Sequence, residues 1–196
     1  MKTLRNTGLL LAMIALAGCA SAPNPTLYML PAPLGDGSSA TRTIAIGLAE
    51  VELPAYARSS LIASADSEHR VRLDDNHRWA SPPSEALTRG LAVRLENQLQ
   101  ADVLVRPYPR EFVPALVIEV SFDELLRSTD GAATMRGKAL LVHARDRDVT
   151  IVRFEIHETP SGNRGYEGFM AAIGAGLTEL ASRISATIDA NPRAIP

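Results

Sequence analysis

The chain has 196 residues, with 20 Lys and Arg against 22 Asp and Glu, for a formal net charge of −2 at neutral pH. The charges are interspersed rather than run together, which excludes a charged disordered tail and leaves no basic face for nucleic acid. A lone cysteine excludes an intramolecular disulfide framework.

Taken in chain order, Lys2 and Arg5 form a short positive stretch before an apolar run from Leu9 to Ala17. That run is too short to span a bilayer, which takes about 20 apolar residues. It reads as a secretory signal and is set aside from the fold. It ends in Leu16-Ala17-Gly18-Cys19. This stretch resembles the lipobox of bacterial lipoproteins, in which the cysteine takes a diacylglycerol and becomes the new N-terminus after cleavage. The resemblance implies a signal peptide over 1–18 and a lipid anchor at Cys19. It also accounts for the unpaired cysteine, which has no neighbouring base or cation to make it a reactive thiol. Ala20 stands where an aspartate would imply retention in the inner membrane. The resemblance therefore implies the outer membrane, with the domain facing the periplasm. Removing the first 18 of 196 residues leaves 178, and the loss of Lys2 and Arg5 leaves 18 bases against 22 acids, or −4. That length suits one domain with a proper core.

Residues 19–25 read as a lipidated tether, 26–190 as the domain and 191–196 as a disordered tail. Thr26 to Leu30 is a short β-like run, and Leu34 to Arg42 is a Gly- and Ser-rich loop. Thr43 to Leu53 is the first full strand, stopped by Pro54. Ser60 to Ala65 and His69 to Leu73 are two more, joined by a turn at Asp66-Ser67-Glu68, and Asp74-Asp75-Asn76 is a further turn. Ser84 is a candidate N-cap for a helix over 84–100 whose apolar stripe is Leu87, Leu91, Leu95 and Leu99. Val103 to Val105 follows as a strand. Leu116, Ile118, Val120 and Phe122 alternate with Glu119 and Ser121, which marks a strand with one buried face. Ala133 to Ala144 and Val149 to Glu158 form a long hairpin with a charged tip at Arg145-Asp146-Arg147-Asp148. Met170, Ile173, Leu177, Leu180, Ile184 and Ile188 make one stripe on an amphipathic helix over 166–190, read as core-facing rather than as a zipper for a partner. The fold class that follows is a single α/β domain, a mixed and largely antiparallel sheet with two main helices packed on it.

The order of these features resembles the ABC-type transport auxiliary lipoproteins, the PqiC group. The lipobox, the strand Leu27-Tyr28-Met29-Leu30-Pro31, the block Val51-Glu52-Leu53-Pro54-Ala55-Tyr56 and the stretch Asn76 through Arg78-Trp79-Ala80 carry the likeness. The chain departs from the group's pattern at Ala63-Ser64 and at Pro82-Pro83. The resemblance implies an outer-membrane partner of MCE-domain proteins, which bridge the periplasm and move lipids between the two membranes. Whether the lipoprotein forms a homo-oligomer is left open. Contact with a cell-wall synthase and a periplasmic hydrolase are the alternatives. No enzyme, cofactor or metal is implied.

The residues give no catalytic site to set against this. His69, His77, His143 and His157 show no ligand spacing, although His143 and His157 would face each other across the hairpin if they held zinc. No glycine-rich phosphate loop and no Gly-x-Ser-x-Gly elbow occurs. Asp146 and Asp148 are paired carboxylates at an exposed tip, where no cleft is expected. The partner-binding candidates are Leu53, Pro54 and Tyr56, where a proline ends a strand and an aromatic follows it. Tyr56 is either an exposed anchor or a cover for the sheet edge. Trp79 is read as packing.

Overall fold

The strand marked by the alternation of Leu116, Ile118, Val120 and Phe122 is the one on which the whole sheet is assembled. The computed structural model describes residues 24–31, 33, 42, 44–67, 69–160, 162 and 165–191. They run β1 (Thr26–Tyr28), β2 (Ile46–Leu48), a single 3-10 turn (Ala55–Ala57), β3 (Leu61–Ser67), β4 (Arg70–Trp79), α1 (Pro83–Leu99), β5 (Val103–Val105), β6 (Leu116–Arg127), β7 (Ala133–His143), β8 (Val149–Glu158) and α2 (Tyr166–Ala190).

β6 pairs along its whole length with β7, from Leu116 opposite His143 to Arg127 opposite Ala133. β8 closes that side, antiparallel to β7. The other edge of β6 is divided between two strands. β2 lies parallel to Leu116–Ile118, and β3 meets β6 only where Ser64 stands opposite Arg127. β5 continues outward from β2 in parallel, while β4 lies antiparallel to β3 and β1 parallel to β4. The result is a mixed eight-stranded sheet in which the antiparallel ladders hold most of the paired residues.

Both helices pack on one face of this sheet and on each other. Leu87, Leu91, Leu95 and Leu99 of α1 are at most 1% exposed, and the six stripe residues of α2 at most 3%. The 166–190 stripe is therefore core, not a zipper. Each such side chain contributes about 1.5–3 kcal/mol by leaving water, so the two stripes and the inner face of β6 form the main core.

Chain direction gives the sheet two distinct ends. β3 is parallel to β6, β4 is antiparallel to β3, and β1 is parallel to β4. The β3–β4 connection, the β6–β7 turn at Ser128–Gly131 and the start of β1 therefore share one end. The β7–β8 tip at Arg145–Asp148 lies at the other.

Several sequence expectations are corrected. The run from Thr43 to Leu53 pairs as a strand only over Ile46–Leu48. Beyond it the backbone follows β6 irregularly, the Glu52 N–H donating to Val120 and the Phe122 N–H donating to Glu52, with the Val51 N–H turned away onto Thr88 Oγ1. Asp74-Asp75-Asn76 is not a turn between strands but part of β4. The register jumps from Ile62 opposite Asp74 to Leu61 opposite Arg78, so the surplus residues bulge out, with the Asn76 N–H donating to Asp74 Oδ1. α1 begins at Pro83 after Pro82, so Ser84 is not the cap. Proline at the first helical position needs no N–H there, and the Ser84 hydroxyl instead donates to Glu50 Oε1 at 2.6 Å.

Candidate interaction surfaces

Cys19 and the lipobox residues Leu16, Ala17 and Gly18 lie outside the described residues. The structure does place the turn that follows Leu53. Leu53 itself is 3% exposed and packs in the core. Pro54 and Tyr56 are half-buried. Pro54 opens the 3-10 turn, whose Ala57 N–H donates to the Pro54 carbonyl at 2.9 Å, and Arg58 Nε donates to the Leu53 carbonyl at 2.8 Å. The Tyr56 hydroxyl accepts a hydrogen bond from the Leu125 N–H at 3.2 Å. That donor lies on the divided edge of β6, past the bulge between Phe122 and Glu124 and before the contact with β3. Tyr56 thus fills the gap between β2 and β3 with a side-chain acceptor where no strand supplies one. Burial pushes its phenol above the ordinary tyrosine range. The turn presents Ala55 and Arg58 outward, with Pro54 and Tyr56 half-buried between them.

The face of the sheet away from the helices carries two concavities. One, of 440 Å³, is lined by Glu50, Glu52 and Glu119 against Arg106 and Lys138, with Ser121 and Leu140 on its floor. Ser121 stands directly opposite Lys138 on β7, among the three glutamates of this lining. The other, of 570 Å³, lies under the β3–β4 arm and is lined by Tyr56, His69, Arg70, Val71, Glu124, Leu126 and Arg136 among others. Arg136 is paired with Glu124 at 2.9 Å, and Arg70 with Asp66 at 2.7 Å, all at partly exposed positions. Both hollows have charge of each sign.

An aromatic group joins β1, β4 and the first turn of α2. The Tyr28 hydroxyl and His77 Nδ1 are 2.9 Å apart, the His77 ring stacks on Tyr166 at 3.8 Å, and Tyr166 donates to Asp74 Oδ2 at 2.7 Å. The Arg127 guanidinium lies 4.8 Å from the centre of the Tyr166 ring. The Tyr166 hydrogen bond holds the Asp74 carboxyl below the usual range, helped by the Asn76 N–H and by His77 and Arg72, against the opposing effect of burial. Burial first, then Asp74, raises the Tyr166 phenol. A carboxylate kept ionised and a phenol kept protonated exchange no proton near neutral pH, so this pair is a cross-link rather than an acid–base couple. The sequence held no sign of it, since Tyr28, Asp74 and Tyr166 are far apart in the chain.

A second cross-link is Arg94, 6% exposed in α1. It donates to the carbonyls of Gly90 at 2.8 Å, Gly174 at 3.0 Å and Pro31 at 3.3 Å, and to Thr178 Oγ1 at 3.0 Å. Burial lowers its pKa from the ordinary arginine value. Gly90 lets the N-terminal segment in close: a Cβ there would stand 2.8 Å from Leu30 Cδ2. Arg94 thereby ties the segment just after the tether to both helices.

His143 and His157 do not face each other. His143 stands opposite Leu116 and His157 opposite Thr134, at opposite ends of the β7–β8 hairpin. Among the described residues no three His, Cys, Asp or Glu are grouped so as to hold a metal. Trp79 is 6% exposed, as packing requires. Among the described residues no helix is long and apolar enough to cross a membrane.

A family model described as ABC-type transport auxiliary lipoprotein component matches residues 28–185. No curated protein matches the chain. Among solved structures, an uncharacterised protein is 20% identical with a TM-score of 0.71, over 85% of this chain and 99% of its own. A Xanthomonas campestris protein of the DUF330 family is 16% identical with a TM-score of 0.65, over 84% of this chain and 99% of its own. At such identities the likeness is one of fold.

Proposed function

We propose, from the premise that this chain belongs to the family of ABC-type transport auxiliary lipoprotein components, that it acts by contact as the outer-membrane partner of an MCE-domain protein. In this reading a lipid on Cys19 holds the domain at the periplasmic face, and the partner moves lipids between the two membranes and so maintains membrane integrity. One observation carries the proposal: the family match runs from Tyr28 in β1 to Ser185 in α2, which is nearly the whole folded domain beyond the tether. The hollow between Glu50, Glu52 and Glu119 on one side and Arg106 and Lys138 on the other supports a role in assembly, because it offers charged groups of both signs to a partner.

The test is recovery of the lipidated protein from membranes in mild detergent, with the co-purifying proteins identified. An MCE-domain protein in stoichiometric yield is the expected result. Recovery of a cell-wall synthase in its place would sink the proposal.

A further inference from the structure

The strand that follows the tether fixes which part of the domain meets the membrane. β1 lies parallel to β4, with Thr26 opposite His77 and Tyr28 opposite Trp79. The chain before Thr26 therefore leaves toward the earlier residues of β4, that is, toward Arg70 and the tip of the β3–β4 arm. From Cys19 to Thr26 an extended chain covers at most about 25 Å. The stretch of β4 from His77 back to Arg70 is of similar length at about 3.3 Å per residue. A lipid at Cys19 thus keeps the bilayer within reach of the arm, while the β7–β8 tip points away.

Between this tip and β1, the arm carries apolar side chains that no described residue covers. Val71 is 40% exposed, Leu73 39%, Leu27 60% and Met29 79%. Register puts three of them on one face: Val71 opposes Ala65, Leu73 opposes Ala63, Arg78 opposes Leu61, and Leu27 opposes Arg78. Met29 follows just past the end of β1. We infer that this face of the β3–β4 arm, through Val71, Leu73, Leu27 and Met29, rests on the lipid surface that holds the anchor and seats these side chains at the boundary of headgroups and acyl chains.

The inference rests on the lipid at Cys19 proposed above. Charge does not set this face apart: Arg70 is paired with Asp66 at 2.7 Å, and the Arg78 guanidinium donates to the Asp75 carbonyl at 3.3 Å. Apolar area drives the contact. Four side chains are a small area for a free protein, but a short tether holds the arm at a millimolar effective concentration or above. A contact too weak to recruit the domain from solution is then enough to orient it.

The full lipidated chain provides the test. Once Cys19 carries lipid, a cysteine introduced at Val71→Cys or Leu73→Cys is the sole reactive thiol. Asp146→Cys, at the β7–β8 tip, is the control. Each is labelled with an environment-sensitive fluorophore and reconstituted into phosphatidylethanolamine–phosphatidylglycerol vesicles containing doxyl-labelled lipid. Labels at 71 and 73 should be quenched at least about twofold and the label at 146 left unchanged, equally at low and high salt, as expected of an apolar interfacial contact. Absence of quenching at 71 and 73 in protein whose Cys19 is acylated by mass spectrometry overturns the inference and leaves the anchor standing. A label that is dehydrated but unquenched means that a second copy covers the face, which also overturns it, as does quenching that high salt abolishes. An unacylated Cys19 removes the anchor itself, and the inference with it.

Discussion

Arg94 on α1 and Gly174 on α2 are joined by a 3.0 Å hydrogen bond from guanidinium to carbonyl, across 80 positions of sequence. The same guanidinium reaches Pro31, so one buried side chain holds together two helices and the segment that leads to the tether. None of its partners is a carboxylate. The charge is stabilised by backbone dipoles and one hydroxyl; removing it takes the guanidinium donor from the Pro31 carbonyl and cuts the tie between the two helices.

Arg94→Met keeps much of the volume and loses every donor. We expect a loss of about 2–4 kcal/mol, or roughly 5–15 °C in Tm for a chain of this size. Residues 26–31 should become quick to exchange amide hydrogen well below the global transition. A variant that melts like the wild type and keeps β1 protected shows that the cross-link is idle.

For Tyr56 the two readings separate by experiment. Tyr56→Phe loses only the bond from the Leu125 N–H and should cost about 1 kcal/mol. Tyr56→Ala also opens the edge of β6 and should cost about 2–3 kcal/mol. Partner affinity is measured beside each melt. If Tyr56→Phe binds normally and Tyr56→Ala loses affinity only in step with its folded fraction, the turn is structural. A loss of affinity beyond that, at a temperature where the variant is fully folded, makes it a contact.

The Asp74–Tyr166 pair predicts a pH profile with two arms. The Asp74 pKa is lowered on folding, so its contribution is full above the ordinary carboxylate value and is lost as pH falls through the folded one, below about pH 4. The Tyr166 pKa is raised, so its contribution is full below the ordinary tyrosine value of about 10 and is lost as pH rises beyond it. Melts of Asp74→Asn should lie below the wild type at neutral pH, with the gap closing in acid. Tyr166→Phe should soften the alkaline arm without abolishing it, because Tyr28 and Tyr56 are shifted the same way. A gap for Asp74→Asn that persists unchanged to the lowest pH contradicts the assignment.

Cys19→Ser should carry no lipid, since a hydroxyl is a far weaker nucleophile than a thiolate. Metabolic labelling with a fatty-acid analogue reads this directly, and label retained on the serine variant would exclude the lipobox. Ala20→Asp should move the protein toward the inner membrane in a density gradient if sorting follows the rule that the resemblance implies. An unchanged gradient position counts against the outer-membrane reading.

Local periodicity made much of this fold legible. The spacing of Leu87, Leu91, Leu95 and Leu99, the alternation along Leu116 to Phe122, and the long hairpin after Ala133 all appear where the pattern put them. What the sequence hid depends on partners distant in the chain. The run around Ile46 looks like a long strand, yet its regular pairing stops after Leu48, and the Val51 N–H turns from the sheet to Thr88 on α1. Asp74-Asp75-Asn76 has the composition of a turn, and only the pairing of β3 with β4 shows that it is a bulge. Arg94 breaks no pattern on a helix, because its acceptors are carbonyls that any residue would supply. Tyr56 gave an ambiguous signal for the same reason: its partner is a backbone N–H, which has no sequence signature.

The position of β1 also has a consequence for the order of events during secretion. A chain exported from its N-terminus delivers residues 26–31 first, but β1 pairs with residues 77–79, and the Arg94 cross-link waits for Gly174. Until those partners have crossed, that segment lacks the contacts that hold it in the fold. If Cys19 is acylated and cleaved as proposed, the enzymes that act there would meet a chain whose neighbouring strand has no partner for most of translocation. Contact order, usually read as a limit on folding speed, here sets how long that strand waits for its partner.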